Sequence, residues 1–307
     1  MLDTIINLIL TGVMMQIPSA VLPPQNILPS AGNLLPAAEQ KIAPQRDFST
    51  LSQGVKVAAH SYAVIDPESN KILCENNSDD PRSIASITKL MTALVFLDTN
   101  PDFNKEVTIA AADQRSGGIT YLIPGEKFKL HDVFYAALIA SSNEGAAALA
   151  RLSGLSEADF VAAMNKKAAA LGMTDTRFAD PTGLDNNNKS TAGDILKLAQ
   201  AAFAKAEIKD AVSREDYELD VLNKKIKRKI KTTDRVLGDD FGFGNNSYYI
   251  KGGKTGYLES AGYCFVSEVS DSAGHRILVA VLGSPTINDR FQDTKALAYW
   301  AFNNFKW

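Results

Sequence analysis

The chain has 307 residues, of which 45% are apolar and 22% charged, and its formal net charge is −3. This composition is ordinary for a soluble globular protein that is long enough to bury a substantial core. The negative charge balance argues against a nucleic-acid partner.

The first fifty residues have the features of an export segment followed by a linker. A mainly apolar stretch over residues 5–17 is followed by Pro-Ser-Ala at 18–20, which fits a small-residue cleavage end. The four residues before it contain Asp3 and no Lys or Arg. Residues 1–20 are therefore predicted to be a signal peptide or an uncleaved N-terminal anchor, with an ordinary buried helix as the alternative. Residues 21–50, rich in Pro, Ala, Gln and Asn, are predicted to be a flexible linker to a catalytic domain over 51–307.

Hydrophobic patterning after the linker predicts an α+β fold. Predicted strands, from alternating or continuous apolar runs, cover Ser61–Asp66, Lys71–Glu75, Tyr248–Tyr257, Gly262–Val269 and Arg276–Leu282. Predicted helices after the first cover Asp132–Ala140, Glu144–Leu152, Glu157–Leu171, Ala192–Ala204 and Asp289–Phe305. Strands from both ends of the domain must share one sheet, with a helical lobe over about 86–206 inserted between them. The functional cleft is expected at the boundary between sheet and lobe.

Three short motifs occur in a fixed order: Ser86-Ile87-Thr88-Lys89, Ser141-Ser142-Asn143 and Lys254-Thr255-Gly256. Serine three residues before lysine, followed by S-x-N and K-T-G, is the set found in serine enzymes that open acyl-D-alanyl bonds and β-lactam rings. S-x-x-K by itself is a weak signal, because a chain of this length contains about one by chance. The order and combination of the three motifs make the prediction specific.

The spacing of the first motif brings a base to a nucleophile. Ser86 begins an apolar run with helical spacing, so that Ser86 and Lys89 lie on one face of the helix. A lysine can accept the serine proton if burial and a second cation, here Lys254, lower its pKa. Without the other two motifs, the favoured interpretation would be a helix N-cap serine and a solvated lysine.

Around these motifs the chain resembles the low-molecular-mass penicillin-binding proteins, the serine D-alanyl-D-alanine carboxypeptidases of the carboxypeptidase A type. The resemblance covers about residues 61–307. The stretches that carry it, besides the three motifs, are Pro124-Gly125-Glu126, Leu171-Gly172-Met173, Asp180-Pro181-Thr182-Gly183-Leu184, Ser190-Thr191-Ala192 and Ala261-Gly262-Tyr263-Cys264. It implies a β-lactamase/transpeptidase-like fold with an antiparallel sheet. Ser142, Asp180 and Gly253 depart from the usual family residues, and none of the three removes a catalytic group.

The resemblance also implies roles for the motif residues. Ser86 would attack the carbonyl of the penultimate D-alanine, with Lys89 as the base and the backbone N–H groups of Ser86 and Tyr257 holding the oxyanion. Ser141 would pass a proton to the departing nitrogen, and Asn143 would hold the substrate amide and orient Lys89. The K-T-G strand supplies the substrate-binding residues Lys254, Thr255, Gly256 and Tyr257, and Arg290 would be a bidentate partner for the terminal carboxylate.

The expected substrate is therefore a peptidoglycan stem peptide ending in D-Ala-D-Ala, with β-lactams as inhibitors and no cofactor. The protein is expected outside the cytoplasm, in the periplasm or at the cell surface, with any membrane contact through its N-terminal segment. Three alternatives stay open: a D,D-endopeptidase that cuts cross-links, a class A-like β-lactamase, and a non-enzymatic penicillin-sensing module. The β-lactamase is disfavoured because the only glutamate between residues 145 and 206 is Glu157, outside the expected E-x-x-L-N context.

The remaining titratable residues are given structural roles. Cys74 and Cys264 are predicted to be two buried thiols without a disulfide. The histidines are isolated, and no Cys/His cluster suggests a metal site. The basic run from Lys224 to Lys231 is predicted to be the exposed side of a strand or hairpin, with a patch for an anionic cell-wall polymer as the alternative.

Overall fold

A computed structural model describes residues 42–242 and 246–307. The predicted leader and most of the predicted linker lie outside this range. The strands are β1 (Gln45–Arg46), β2 (Ser61–Asp66), β3 (Lys71–Asn76), β4 (Arg82–Ser83), β5 (Glu106–Thr108), β6 (Lys127–Lys129), β7 (Lys189–Ser190), β8 (Asp216–Val221), β9 (Ile226–Lys231), β10 (Tyr248–Leu258), β11 (Gly262–Asp271), β12 (Arg276–Ser284) and β13 (Phe305–Lys306). The helices are α1 (Thr88–Leu97), α2 (Leu130–Leu138), α3 (Asn143–Leu152), α4 (Glu157–Ala170), α5 (Ala192–Phe203), α6 (Ala206–Val212) and α7 (Asp289–Asn304).

The central sheet is antiparallel and contains five strands in the order β10-β11-β12-β2-β3. Strands from the two ends of the domain thus pair in one sheet, and the six helices α1–α6 lie between them along the chain. This confirms the predicted fold class and the inserted helical lobe. Each predicted element is present, with its ends within two residues of the prediction.

Strand β12 shows why the sheet is buried on both faces. Leu278, Ala280 and Leu282 belong to the hydrophobic core on the side of the helical lobe. The alternate residues, such as Ile277 and Val279, belong to a second core that is covered by α7. A strand with apolar side chains on both faces reads as a continuous apolar run rather than an alternating one.

Helix α1 carries the first motif into the centre of the molecule. Its residues from Thr88 to Phe96 are all buried, including Lys89 at 1% exposure. A helix that is apolar on all sides is stable only when it is surrounded by other elements, and α2 to α5 provide these here. Lys89 therefore lies in a largely apolar environment.

One feature was not predicted from the sequence. Strand β1, within the stretch predicted to be a linker, pairs with β13, and the Arg46 guanidinium stacks over the Trp300 ring at 4.7 Å. The basic run behaves as predicted: β9 is a mostly exposed strand that pairs with β8 in a two-stranded antiparallel sheet. Cys74 and Cys264 are both free thiols, and the prediction that both are buried holds for Cys264 but not for Cys74, which is half-buried. Among the described residues, none of the helices combines the length and the apolar character needed to span a bilayer.

Candidate active site

The nucleophile candidate lies on a strained turn. Residues Ala85–Ile87 form one turn of 3₁₀ helix directly before α1, and Ala85 has φ +47°. A non-glycine residue in this left-handed region is energetically unfavourable and is retained where the surroundings hold it in place. The turn leaves Ser86 half-buried, while Ala85 and Ile87 on either side are fully buried.

Two glycines allow other segments to approach this turn. A Cβ on Gly183, which has φ +85°, would overlap the carbonyl of Ala85, and a Cβ on Gly256 would lie 2.6 Å from the carbonyl oxygen of Ile84. Any side chain at either position would push its segment away from Ser86. The glycine of the K-T-G motif thus keeps β10, an edge strand of the sheet, against the nucleophile turn.

Lys89 connects three segments around Ser86. Its Nζ donates to Ser86 Oγ at 2.7 Å, to Asn143 Oδ1 at 2.8 Å and to the Thr182 carbonyl at 2.5 Å. The first contact comes from the i, i+3 spacing on the helix, and the other two cross long stretches of chain. When the amine is neutral it has two hydrogens, which Asn143 Oδ1 and the Thr182 carbonyl accept, so that the Nζ lone pair faces the Ser86 hydroxyl and accepts from it.

Burial lowers the pKa of Lys89 to about 7, against a smaller opposing effect of the Asp180 and Glu144 carboxylates. The sequence predicts that the charge of Lys254 lowers the pKa of Lys89. In the structure it is the pKa of Lys254 that responds: burial lowers it well below its usual range, and the charge of Lys89 lowers it further. Two ammonium groups in one desolvated cleft disfavour each other, so that a neutral amine is available near neutral pH.

The second and third motifs meet on the opposite side of Ser86. Lys254 Nζ donates to Ser141 Oγ at 2.8 Å and to the Thr255 carbonyl at 3.0 Å. Ser141 has φ +57°, and the next residue, Ser142, caps α3 by accepting the Gly145 N–H at 3.0 Å. A proton path from Ser141 to a buried lysine is thus present in the structure.

Strand β10 presents its outer edge to the nucleophile. The backbone nitrogen of Ser86 lies 3.3 Å from the place where a Cβ on Gly256 would be, and Tyr257 follows directly on the strand. An edge strand leaves N–H groups without a partner in the sheet, which is what an oxyanion site needs. The Tyr257 side chain is 52% exposed and stacks on Tyr263 with ring centres 4.3 Å apart.

Arg290 lies beneath this strand and not in the open cleft. It is 4% exposed, and its Nη1 donates to the Gly256 carbonyl at 3.1 Å and to the Cys264 carbonyl at 3.5 Å. Nη1 is therefore bonded to the main chain, whereas Nε has no hydrogen-bond partner among the described residues, so the bidentate contact with a carboxylate stays a prediction. This geometry favours a role in holding β10 and supplying positive charge from below.

The cleft that these residues line has a volume of about 970 Å³. Ser86, Ser141, Asn143, Thr255 and Tyr257 lie along it. One wall is the loop over residues 117–121, whose Gly117 carbonyl accepts the Asn143 amide at 2.9 Å. The opposite wall runs from residue 229 to residue 235, and from this wall Thr233 Oγ1 accepts the Thr255 hydroxyl at 2.6 Å.

Three residues of the site were given no role from the sequence: Glu144, Asp180 and Thr233. Glu144 is buried and accepts the Ser142 hydroxyl at 2.8 Å, and Asp180 accepts backbone N–H groups of the turn that carries Thr182. The position of Glu144 directly after S-x-N is a signal that could have found it. Nothing in the sequence marks Thr233, whose contact with Thr255 spans 22 residues.

The other titratable candidates lie away from the cleft. His60 pairs with Asp80 and His275 with Asp271, each at 2.7 Å. Glu157 is 57% exposed and pairs with Arg115 at 2.7 Å at the start of α4. The described residues contain no group of three or more His, Cys, Asp or Glu side chains arranged to hold a metal ion.

Comparison with known proteins gives consistent relatives. The profile of the peptidase S11 family, described as D-alanyl-D-alanine carboxypeptidase, matches residues 47–286. A D-alanyl-D-alanine endopeptidase of Haemophilus influenzae is 33% identical over 75% of this chain and 76% of its own length. A D-alanyl-D-alanine carboxypeptidase of Bacillus subtilis, DacF, is 29% identical over 81% of this chain and 63% of its own length.

Solved structures agree with the sequence relatives. A mutant of the Streptomyces K15 DD-transpeptidase superposes with a TM-score of 0.74 at 25% identity, covering 81% of this chain and all of that one. Penicillin-binding protein D2 of Listeria monocytogenes in its ampicillin-bound form gives 0.68 at 26% identity, over 82% of this chain and all of that one.

Proposed function

The chain belongs to the peptidase S11 family of D-alanyl-D-alanine carboxypeptidases, and we propose that it removes the terminal D-alanine of peptidoglycan stem peptides through an acyl-enzyme on Ser86. The observation that carries this proposal is the buried Lys89 amine, 2.7 Å from the Ser86 hydroxyl. A hydroxyl is a poor nucleophile until a base takes its proton, and Lys89, with its pKa lowered to about 7 by burial, is such a base.

The first half of the reaction forms the acyl-enzyme. Neutral Lys89 Nζ accepts the proton of Ser86 Oγ, and Oγ attacks the carbonyl carbon of the penultimate D-alanine. The oxyanion is held by the N–H groups of Ser86 and Tyr257, and each such donor contributes about 2.7–4 kcal/mol to lowering the barrier. When the intermediate collapses, the carbon–nitrogen bond breaks, and the leaving nitrogen receives a proton from Ser141, which Lys254 replenishes at 2.8 Å.

The leaving D-alanine is recognised by its carboxylate. Thr255 lines that end of the cleft, and Thr233 holds the Thr255 hydroxyl in place. Lys254 is buried behind it and supplies positive charge next to Ser141. Arg290 adds positive charge from beneath β10. The proton that Lys89 took from Ser86 is then returned to the Lys254–Ser141 pair, which leaves Lys89 neutral again and Lys254 reprotonated. Water attacks the acyl-enzyme carbonyl and gives its proton to Lys89, which passes it to Ser86 Oγ as the ester bond breaks and the shortened peptide leaves. The reaction as written needs no cofactor.

A β-lactam would enter the same site and acylate Ser86. Glu157 is on the surface and paired with Arg115, and it is absent from the residues that line the cleft. This supports a long-lived penicilloyl-enzyme rather than rapid hydrolysis. We place the catalytic domain outside the cytoplasm, attached or exported through residues 1–20, in keeping with a family that acts on the cell wall.

A second candidate activity is the cleavage of peptide cross-links. Relatives named D-alanyl-D-alanine endopeptidase, from Haemophilus influenzae and two other bacteria, are 30–33% identical, whereas the carboxypeptidases are 28–29% identical. Both activities use the same acyl-enzyme and differ in the leaving group. The sequence similarity favours testing a cross-linked peptide beside the pentapeptide.

The test is covalent capture followed by turnover. Intact mass spectrometry after brief exposure to benzylpenicillin should show one adduct, and peptide mapping should assign it to Ser86. The Ser86→Ala variant should fold normally and give no adduct. An adduct on Ser141, or one that survives Ser86→Ala, would refute the nucleophile. Release of D-alanine from a pentapeptide ending in D-Ala-D-Ala then tests the carboxypeptidase activity directly.

A further inference from the structure

The cleft carries an excess of positive charge that the acyl-transfer chemistry does not use. Three cationic side chains line its wall, Lys229, Lys231 and Arg235, and Arg290 adds a fourth positive charge from beneath β10. Glu259 is the one acidic side chain among its lining residues in the described part of the chain, and it lies on the segment after β10. The cations are concentrated on the wall over residues 229–235 and beneath the adjacent K-T-G strand.

Two of these cations have no partner among the residues that the structure describes. Lys229 is neutralised by Asp216 at 2.7 Å, and Arg290 is bonded to main-chain carbonyls. Lys231 is opposite Asp216 in the β8–β9 register, but Lys229 occupies that carboxylate. Within residues 42–242 and 246–307, neither Lys231 nor Arg235 takes part in an ion pair or a side-chain hydrogen bond, and both are exposed. Unpaired cations on a cleft wall attract anionic groups of a ligand.

Their position identifies the part of the substrate that they would contact. Thr233, which holds the Thr255 hydroxyl at 2.6 Å, is two residues from each of them. Thr255, Lys254 and Ser141 surround the leaving group in the proposed function, so this wall is on the leaving-group side. Arg235 is close enough to Arg290 that its charge adds to the effect of burial in lowering the pKa of Arg290 to about 10. Lys231 and Arg235 thus flank Thr233 along the wall, with each Cα at most about 7 Å from the Cα of Thr233.

A leaving group of one D-alanine has a single carboxylate, and Thr255 with Lys254 is sufficient for it. A leaving group that is itself a peptide extends further along the wall. We propose that Lys231 and Arg235 form a leaving-group subsite for an acidic peptide, the amine-side strand of a peptide cross-link, which makes this chain selective for cross-links with anionic amine-side peptides. This inference rests on the proposed acyl transfer at Ser86 and adds the identity of the leaving group.

The experiment compares three substrates that share the same acyl half and the same carboxylate next to the scissile nitrogen. The first leaving group is D-alanine, the second is a short peptide with two further carboxylates, and the third is that peptide with both carboxylates replaced by carboxamides. The full chain is tested with the double substitution Lys231→Gln and Arg235→Gln. The matched control is Lys227→Gln, which removes an exposed lysine of β9 that pairs with Glu218 and lies outside the cleft.

The double variant should lose about tenfold in kcat/KM on the acidic peptide, mostly through KM, and less than twofold on the other two substrates. The preference of the parent protein for the acidic over the carboxamide peptide should shrink as salt is raised from 0.05 to 0.5 M, because exposed charges are screened. Arg235→Lys with Lys231 intact should keep most of the preference, and Lys227→Gln should keep all of it.

An equal loss on all three substrates, or no loss on the acidic peptide, would overturn the subsite. Acylation of Ser86 by benzylpenicillin, followed by mass spectrometry, is measured in the same samples. Failure of the parent protein to form that adduct would instead refute the proposed function, so that the two failures are distinguishable.

Discussion

The rate at which penicillin acylates Ser86 should rise with pH through a midpoint near 7, because the reacting form of Lys89 is the neutral amine. Burial lowers the pKa of this lysine to about 7. An ordinary lysine, with a pKa of about 10.4, would be neutral in about one molecule in a thousand at pH 7.5, whereas Lys89 would be neutral in about three quarters of molecules. The structure thus predicts a base that is available at physiological pH.

The substitution Glu144→Gln tests whether the surroundings of Lys89 set its pKa. The Glu144 carboxylate is 1% exposed and stabilises the Lys89 ammonium, which raises its pKa against the effect of burial. Removing the negative charge should therefore lower the pKa of Lys89 and move the acylation midpoint down by about 0.5–1 unit. Glutamine keeps one acceptor oxygen for the Ser142 and Thr120 hydroxyls that Glu144 now holds.

The assay is the second-order rate of penicilloyl-enzyme formation between pH 5.5 and 9, followed by mass spectrometry or with a fluorescent penicillin. Glu157→Gln is the control, because Glu157 is exposed and paired with Arg115 far from Lys89, and its midpoint should not move. Asp234 also titrates within this pH range, because burial raises its pKa to about 6. Its charge partners are Arg290 and Lys254. A shift specific to Glu144→Gln separates the two titrations. A flat profile in the parent protein, or an upward shift in Glu144→Gln, would refute Lys89 as the base.

Three further outcomes are expected. Lys89→Arg should reduce penicilloyl-enzyme formation at least about 100-fold, because a guanidinium stays protonated; full acylation in this variant would exclude Lys89 as the proton acceptor. Gly256→Ala should reduce acylation about 100-fold and lower the free energy of unfolding by about 1–3 kcal/mol, because its Cβ would lie 2.6 Å from the Ile84 carbonyl and displace β10 from Ser86. Acylation at the parent rate would contradict this close approach. Arg228→Ala should lower the free energy of unfolding by about 1–3 kcal/mol at pH 7, measured in urea, because it leaves the buried Glu126 with Lys224 alone. The ion pairs lower the pKa of Glu126 to about 2, so their contribution to the free energy of unfolding is complete above the usual carboxyl pKa and is lost as the pH falls towards 2. A destabilisation by Arg228→Ala that is independent of pH between 2 and 7 would contradict this role of the Glu126 ion pairs.

Local patterns in the sequence were sufficient to predict the elements of the central sheet. The continuous apolar run of β12 and the three-residue spacing of Ser86 and Lys89 both reflect neighbours along the chain, and periodicity reports such neighbours directly. The pairing of β1 with β13 could not be predicted in this way. It joins two-residue strands more than 250 residues apart, and two residues carry no periodicity.

The same limit applies to the site. Lys89 donates to Asn143 and Thr182, which are 54 and 93 residues away, and only the fold brings these acceptors together. The resemblance to penicillin-binding proteins gave the motif residues but not the surroundings of Arg290. Its position beneath β10, with Nη1 bonded to carbonyls, depends on how α7 packs on the sheet. An arginine in the sequence gives no indication of whether its guanidinium is free.

The choice between a single D-alanine and a cross-linked peptide as leaving group must come from residues outside the three motifs. Enzymes named carboxypeptidase and enzymes named endopeptidase are both related to this chain, and both activities require the same nucleophile, base and oxyanion site. The two activities can therefore be distinguished only by residues that contact the leaving group beyond its first carboxylate. In this chain the wall over residues 229–235 provides these contacts, because Thr233 joins it to the K-T-G strand while the charges of Lys231 and Arg235 have no partner among the described residues. A substrate that extends along this wall gains two charge-assisted contacts, whereas one that ends at its first carboxylate gains neither.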